Sequence, residues 1–435
     1  MIKFELKPQR PALLKNYDNE LHVLAKLIAP TAPPNLSKRK NLNLSIVLDR
    51  SGSMSGAPLE EAKRCASMMV ESLGRNDRIS IVTYDDRSNL LVPSVLVKSK
   101  REILSAITTI RPGGMTDLFG GWSVGAEQVG NYKSKDFINR VLLLSDGNAN
   151  TGICEKGIIE QKCIEAADKG ISTSTYGLGR HFNEDLMMAM SKSGQGQGYY
   201  GDTADDLEDP FREEFELLVN TIATNLEINI EYPEFINVKL LNSYLGQDPK
   251  WKLPNLAYEA ETWALFKLNI RKEKLSDCKG IDIFKSHILY IDLNGRKQKT
   301  PVEKIRLEPI NENAFGALVE DEEIRSRILE VHAAILQRRA REAANEGDWA
   351  EVEAILSKAK DEAADNAWIQ GSLSALENYA RRRETEAFSK EALYASDKFE
   401  SRLQSSEESF AFYDTVEELN KKMYLRRKME RGKKM

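Results

Sequence analysis

Two apolar runs constrain this chain more than anything else in it. Leu42 to Leu48 and Ile138 to Ser145 are each rich in branched apolar residues and read as buried strands, and each is broken off by a carboxylate, Asp49 in one case and Asp146 in the other. A strand that is apolar on both faces needs a covering layer on both sides, which is the situation in a parallel sheet flanked by helices. The stretches around them supply those helices. Pro58 to Leu73 carries a helical stripe of Leu59, Ala62, Cys65, Ala66, Met69, Val70 and Leu73. Further strands are expected at Arg78–Tyr84, Leu90–Val97, Ile171–Tyr176 and Gly198–Tyr200. Further helices are expected at Arg101–Ile110, Gly120–Val129, Glu155–Lys169, Asn183–Lys192 and Ala204–Thr221. The short turn between Tyr84 and Leu90 makes those two strands antiparallel neighbours. Elsewhere the strand–helix alternation predicts a doubly wound, mostly parallel sheet over residues 42–222.

A chain of 435 residues is too long for one ordinary domain, and its texture changes on either side of that segment. Residues 1–36 and 224–310 read as short strands alternating apolar and polar residues, the pattern of antiparallel sheets with one buried face. The fold class expected is therefore multidomain, α/β plus all-β plus α. The α/β segment is expected as an insertion in an antiparallel β-sandwich whose amino-terminal strands precede it. The stretch PTAPPNLSKRKN between them reads as a linker. Residues 313–420 read as helical, with two helices hinged at Gly347–Asp348, where glycine suits a helix end and aspartate the next cap. WIQGSLSALENYARRRE is expected to continue as helix. The hinged pair looks like one unit of a helical-hairpin repeat, without a second copy at fixed period. Residues 421–435 form a basic tail.

Composition excludes several function classes. The formal net charge is −5, with 30% charged residues, so no basic domain points to nucleic acid. No segment is apolar for the length a membrane span needs, and the first twenty residues have no signal-like apolar core. No membrane insertion and a cytoplasmic location are expected. Cys65, Cys154, Cys163 and Cys278 form no CxxC pair and read as packed, reduced thiols. His22, His181, His287 and His332 are too scattered for a zinc site or a histidine-based catalytic pair.

The loops at the carboxyl ends of the strands hold the chemistry. DRSGSM follows the first strand and offers Asp49, Ser51 and Ser53. The GGMTD loop offers Thr116 and Asp117. Asp146 follows LLLS. In a doubly wound sheet these loops share one edge. Carboxylates and hydroxyls without thiol or imidazole are the donor set of a hard divalent cation, Mg²⁺ foremost. Ser55 reads as the cap of the following helix, Asp117 as either a supporting or a turn residue, and Asp85 and Asp86 either as added negative charge near the site or, more commonly, as solvated turn residues. A Mg²⁺-dependent hydrolase built on the same carboxylates is the alternative. It lacks support in the residues, because Ser51 stands where a phosphatase general acid is needed. GxSxG, Walker and GxGxxG motifs are missing too. A further alternative places function on the helical region, at Tyr379 and Arg381–Arg383, which otherwise read as a solvated helix end.

DRSGSM, the Thr of GGMTDL and the Asp of LSDGNANTG together resemble the von Willebrand factor A domain and its metal-ion-dependent adhesion site. The resemblance covers residues 42–222. It implies that Asp49, Ser51, Ser53, Thr116 and Asp146 surround Mg²⁺, or Mn²⁺ or Ca²⁺, and that a protein partner supplies an Asp or Glu to the metal. Met115 stands where the family often has threonine. The resemblance extends to larger bacterial intracellular proteins, some associated with Ser/Thr kinases and phosphatases. It thus implies a non-enzymatic cytoplasmic adaptor or scaffold. In some members of the family the last helix of the domain, Ala204–Thr221 here, moves on binding.

Overall fold

The computed structural model describes residues 2–33, 40–134, 137–146, 148–179, 182–201, 204–401 and 404–405. Residues 34–39 of the linker and the whole basic tail, 421–435, lie outside the described residues, as does the end of the helical region. Two compact units result: one joins the amino-terminal strands to the chain from Ile222 onward, apart from Leu293–Gly295, and the other is the stretch between together with Leu293–Gly295.

The chain opens with β1 (Lys3–Pro8), β2 (Leu13–Leu14) and β3 (Asn19–Ile28). The α/β unit follows as β4 (Asn41–Asp49), α1 (Ala57–Ser72), β5 (Arg78–Tyr84), β6 (Ser88–Leu96), α2 (Lys100–Thr108), α3 (Leu118–Asn131), β7 (Phe137–Ser145), α4 (Lys156–Asp168), β8 (Ile171–Leu178), α5 (Glu184–Ser193), β9 (Gln195–Gly201) and α6 (Ala204–Asn220). Its sheet has the order β6-β5-β4-β7-β8-β9. All neighbours are parallel except β5 and β6, whose short connection makes them antiparallel.

β4 and β7 are adjacent and nearly fully buried, which is why both read as apolar runs. From β4 the chain moves outward on one side through β5 and β6, then returns and moves outward on the other through β8 and β9. The reversal leaves a crevice at the carboxyl ends of β4 and β7, the usual place for a ligand in such sheets. α3 covers this centre closely: a Cβ on Gly125 would lie 2.3 Å from Cγ2 of Val47. α6 is held to the sheet through Glu214, buried on its inner face. Glu214 accepts hydrogen bonds from the Ser174 hydroxyl (2.7 Å) and the Tyr199 hydroxyl (3.2 Å), and is ion-paired with buried Arg140 of β7.

The other unit continues with β10 (Thr221–Glu231), β11 (Asn237–Leu240), β12 (Gly246–Gln247), β13 (Lys250–Leu253), β14 (Leu256–Ala257), β15 (Ala260–Ile270), β16 (Phe284–Asp292), β17 (Lys297–Lys299), β18 (Glu303–Ile305) and β19 (Pro309–Ile310). β1 and β3 pair antiparallel, and β3 pairs along its whole length with β15. β11 completes that row, and a second antiparallel sheet runs β12-β13-β10-β16-β17. The Phe266 ring of the first sheet lies 5.6 Å from that of Trp251 and 5.2 Å from that of Phe284, both on the second.

The helical region begins with α7 (Glu312–Gly316) and then forms α8 (Glu322–Glu346), α9 (Trp349–Glu362), α10 (Ala367–Arg382) and α11 (Thr385–Ser401). Gly347 takes a left-handed conformation, φ 79°, and the Asp348 carboxylate accepts from the Glu351 N–H at 3.0 Å, as the sequence implied. WIQGSLSALENYARRRE is helical as expected and forms α10, but as a separate helix from α9. Asn366 caps α10 by accepting from the Ile369 N–H at 3.1 Å, and Arg383 turns left-handed at φ 54° before α11. The region is therefore two successive helix pairs, not one. α8 is anchored by Arg327, a buried guanidinium bonded to Glu261 of β15 at 2.6 Å and to Glu330 at 3.0 Å, and stacked on Trp263. No helix among the described residues is long and apolar enough to cross a membrane.

Candidate metal centre

Register brings the first part of the site together. Leu48 pairs with Leu144 across β4–β7, and Asp49 with Tyr84 across β4–β5. The buried carboxylate of Asp49 therefore ends its strand between two hydroxyl-bearing strand ends. Ser145 donates to its Oδ2 at 2.7 Å and Tyr84 to the same oxygen at 3.2 Å, while the Ser51 N–H donates to Oδ1 at 2.8 Å. The Ser51 and Ser53 hydroxyls lie 3.1 Å apart, Ser51 buried and Ser53 exposed, so the cluster faces outward.

Main-chain hydrogen bonds lace the other two loops onto this one. The Gly113 N–H donates to the Arg50 carbonyl at 2.6 Å, and the Gly52 N–H to the Gly114 carbonyl at 2.9 Å. The Thr116 N–H donates to Oδ1 of Asn150 at 2.8 Å, and the Asn150 N–H returns a bond to the Thr116 carbonyl at 3.1 Å. Thr116 and Asp146 are both buried. Met115 is 52% exposed, on the rim.

The electrostatics are unusual for a protein interior. Burial, and after it the nearby charge of Asp146, pushes the Asp49 carboxyl up to about 6, against the hydrogen bonds from Ser145 and Ser51. The same burial, with the Asp49 charge beside it, raises the Tyr84 hydroxyl well above its ordinary value, so it stays a donor. Among the described residues no lysine or arginine is ion-paired with Asp49 or Asp146. Arg50, between Asp49 and Ser51, turns instead to Asp85 at 2.6 Å. The charge of Asp146 thus bears on buried Asp49 with no lysine or arginine among the described residues to offset it. Among the described residues there is also no group of three or more His, Cys, Asp or Glu set to hold a metal. A cation here would depend on Ser51, Ser53 and Thr116 as much as on the carboxylates. Such a donor set is all oxygen and carries a charge of −2, which fits a hard divalent ion.

Several expectations change. Ser55 does not cap α1; the cap residue is Gly56, whose φ of 86° a side chain would resist. Asp117 is the cap of α3, accepting from the Gly120 N–H at 2.9 Å. Asp85 is not a solvated turn residue. It is 3% exposed, and although burial works against its charge, the N–H groups of Arg87 and Gly114 and the guanidinium of Arg50 hold its carboxyl below the ordinary range. Cys65, Cys163 and Cys278 are buried thiols, but Cys154 is exposed. Sequence reasoning missed Tyr84 and Ser145. Both end strands expected to flank Asp49, which was the available signal.

A doubly wound sheet with carboxylates and hydroxyls on three loops at its switch point is an architecture that places ligands at the carboxyl ends of its strands. Residues 43–213 match the family model of the von Willebrand factor type A domain, and the chain carries that domain. A Synechocystis protein of uncharacterised function is 30% identical over 198 residues, covering 45% of this chain and 46% of its own. The Escherichia coli protein YfbK is 28% identical over 280 residues, covering 62% of this chain and 45% of YfbK. The chain thus spans about half the length of these curated relatives. The solved structure of a von Willebrand factor type A protein from Catenulispora acidiphila superposes with a TM-score of 0.68 at 16% identity, covering 86% of this chain and 89% of the other. That likeness concerns the fold alone, and it reaches well beyond the α/β unit.

Proposed function

We propose that Asp49, Ser51, Ser53, Thr116 and Asp146 form a metal-ion-dependent adhesion site. The site takes Mg²⁺, or Mn²⁺ or Ca²⁺, and a protein partner completes its shell with an Asp or Glu. The observation that carries this reading is the buried carboxylate of Asp49, whose ionisation is opposed by burial and by the charge of buried Asp146, with no cationic side chain paired to either among the described residues. A divalent cation removes that cost, and the exposed Ser53 side leaves room for a ligand from outside.

The protein is then a binding module and not an enzyme. Supporting this, Oδ2 of Asp49 is engaged by two hydroxyl donors and Oδ1 by a backbone N–H, the posture of a fixed ligand and not of a free nucleophile. The architecture read with it is an α/β domain inserted in a β-sandwich, with the helical region as a second interaction element. The pairing of β3 with β15 and the meeting of Phe266 with Trp251 and Phe284 support that view. In this reading the protein is a cytoplasmic adaptor or scaffold, and a Ser/Thr kinase or phosphatase is a candidate partner.

The test uses the full chain. Calorimetry with Mn²⁺ is expected to show binding that Asp49→Ala abolishes. Partner capture is expected to be lost both with that substitution and with chelator. Capture that survives both would sink the reading.

A further inference from the structure

Asp85 and Arg50 lie outside the donor set, yet between them they hold the segment that carries Thr116. Asp85 grips that segment on both sides. Its Oδ2 accepts from the Gly114 N–H at 3.3 Å, and its backbone carbonyl accepts from the Asp117 N–H at 2.7 Å. Only Met115 and Thr116 lie between those two anchors. Arg50 adds two more ties. Its carbonyl accepts from the Gly113 N–H at 2.6 Å, and its guanidinium reaches Oδ2 of Asp85 at 2.6 Å. The contact is close enough that a Cβ on Gly113 would sit 1.9 Å from Oδ2 of Asp85. The first glycine of RPGGMTD is thereby explained, since the loop lies flat on the buried Asp85 carboxylate, while a Cβ on Gly114 would sit 2.9 Å from Oδ1 of exposed Asp86.

The same pairing acts on the first loop. Arg50 stands between Asp49 and Ser51, and its side chain leaves toward Asp85 while the Ser51 N–H and hydroxyl serve Asp49 and Ser53. One ion pair, between half-buried Arg50 and buried Asp85, thus ties the DxSxS loop to the threonine loop. It also keeps the guanidinium charge engaged at Asp85.

We propose that the Arg50–Asp85 pair is a positioning clasp that sets Thr116 against Asp49, Ser51 and Ser53, so that cation affinity depends on two residues that do not touch the cation. This rests on the adhesion-site reading given above. Outer residues that orient metal ligands commonly change affinity by about 10- to 100-fold when removed.

The experiment is Mn²⁺ binding by the full chain, followed by the electron paramagnetic resonance of free Mn²⁺, for wild type, Asp85→Ala, Arg50→Ala, Thr116→Ala and the double variant Asp85→Ala/Thr116→Ala. Circular dichroism establishes that each is folded, and Asp85→Asn, which keeps the acceptor oxygen, stands in if Asp85→Ala is not. The clasp predicts that Asp85→Ala and Arg50→Ala each weaken Mn²⁺ binding by about tenfold or more. It also predicts that Asp85→Ala costs little further once Thr116 is alanine, because its effect passes through that residue. Folded variants that bind Mn²⁺ as tightly as wild type overturn the clasp alone. Full additivity in the double variant overturns it too, since the two residues then act independently. No Mn²⁺ binding by wild type overturns the adhesion-site reading and this proposal with it.

Discussion

Replacing Asp49 with asparagine is expected to stabilise the metal-free protein and to destroy its response to Mg²⁺. Burial and the neighbouring Asp146 move the Asp49 carboxyl from 3.8 to about 6. At 1.36 kcal/mol per pH unit, holding it ionised at neutral pH costs about 3 kcal/mol relative to the unfolded chain. Asparagine has nearly the same shape and no charge. Its oxygen can accept from the Ser51 N–H while its amide faces Tyr84 and Ser145, whose hydroxyls can rotate to accept. Exchanging charged for neutral hydrogen bonds returns part of the gain. The expected net stabilisation is about 1–3 kcal/mol in chelator at pH 7, a few degrees in the melting of the α/β unit.

The sign of the pH dependence follows. Between 3.8 and about 6 the folded Asp49 binds more protons than the unfolded one, so the stability of the metal-free wild type falls as pH rises through that window. The advantage of asparagine should therefore vanish near pH 4 and be complete above about pH 7. Saturating Mg²⁺ should reverse the order. Ligand at a thousandfold excess over its Kd stabilises the wild type by about 4.1 kcal/mol and leaves the variant where it was. Differential scanning calorimetry at pH 4, 5, 6 and 7, with chelator and with Mg²⁺, reads all of this. An asparagine variant less stable than wild type in chelator at pH 7 would refute the reasoning, as would a difference independent of pH.

Glu214→Gln leaves the Arg140 guanidinium buried without its counter-charge, and breaking such a pair costs about 3–5 kcal/mol. Urea unfolding measures it, and a loss under about 1 kcal/mol would show that this pair is not what holds α6. Gly125→Ala places a methyl 2.3 Å from Cγ2 of Val47 and 3.0 Å from Oγ of Ser45, so α3 must lift from β4. A loss of about 1–3 kcal/mol is expected in thermal unfolding, and an unchanged melting temperature would mean that the helix does not pack as closely as described.

How much of this was readable depends on which physics set each feature. Leu42–Leu48 and Ile138–Ser145 were legible as buried parallel strands because Ile46–Leu48 and Val141–Leu144 are apolar on both faces, although Asn43, Ser45, Asn139 and Arg140 are buried polar residues within them. Asp49, Ser51, Ser53, Thr116 and Asp146 could be grouped because strand order alone puts their loops on one edge. The hydrogen bonds that fix Asp49 were not legible, since they follow from register. Tyr84 and Ser145 reach it only because β5 and β7 stop level with β4. Asp85 was misread for a related reason. Two aspartates after a strand look solvated, and only the turn of Arg50 toward one of them shows that it is buried. In the helical region Gly347 announced its break, whereas the break at Arg383 needs a left-handed arginine that no composition rule anticipates.

The hydroxyls now have a reason beyond reach. On the adhesion-site reading Asp49 and Asp146 bring −2 to a +2 ion, and Ser51, Ser53 and Thr116 bring oxygen without charge. The filled site is then neutral and can still accept an anionic ligand. A third or fourth carboxylate in place of the serines would bind a cation more tightly and repel the carboxylate of a partner. Arg50 raises the opposite difficulty: a free guanidinium beside Asp49 would compete with the cation for the same carboxylate. Its engagement by Asp85 holds it away. Affinity for the ion and affinity for the partner's carboxylate are thus balanced by one substitution pattern, hydroxyls for carboxylates, and by the Arg50–Asp85 ion pair.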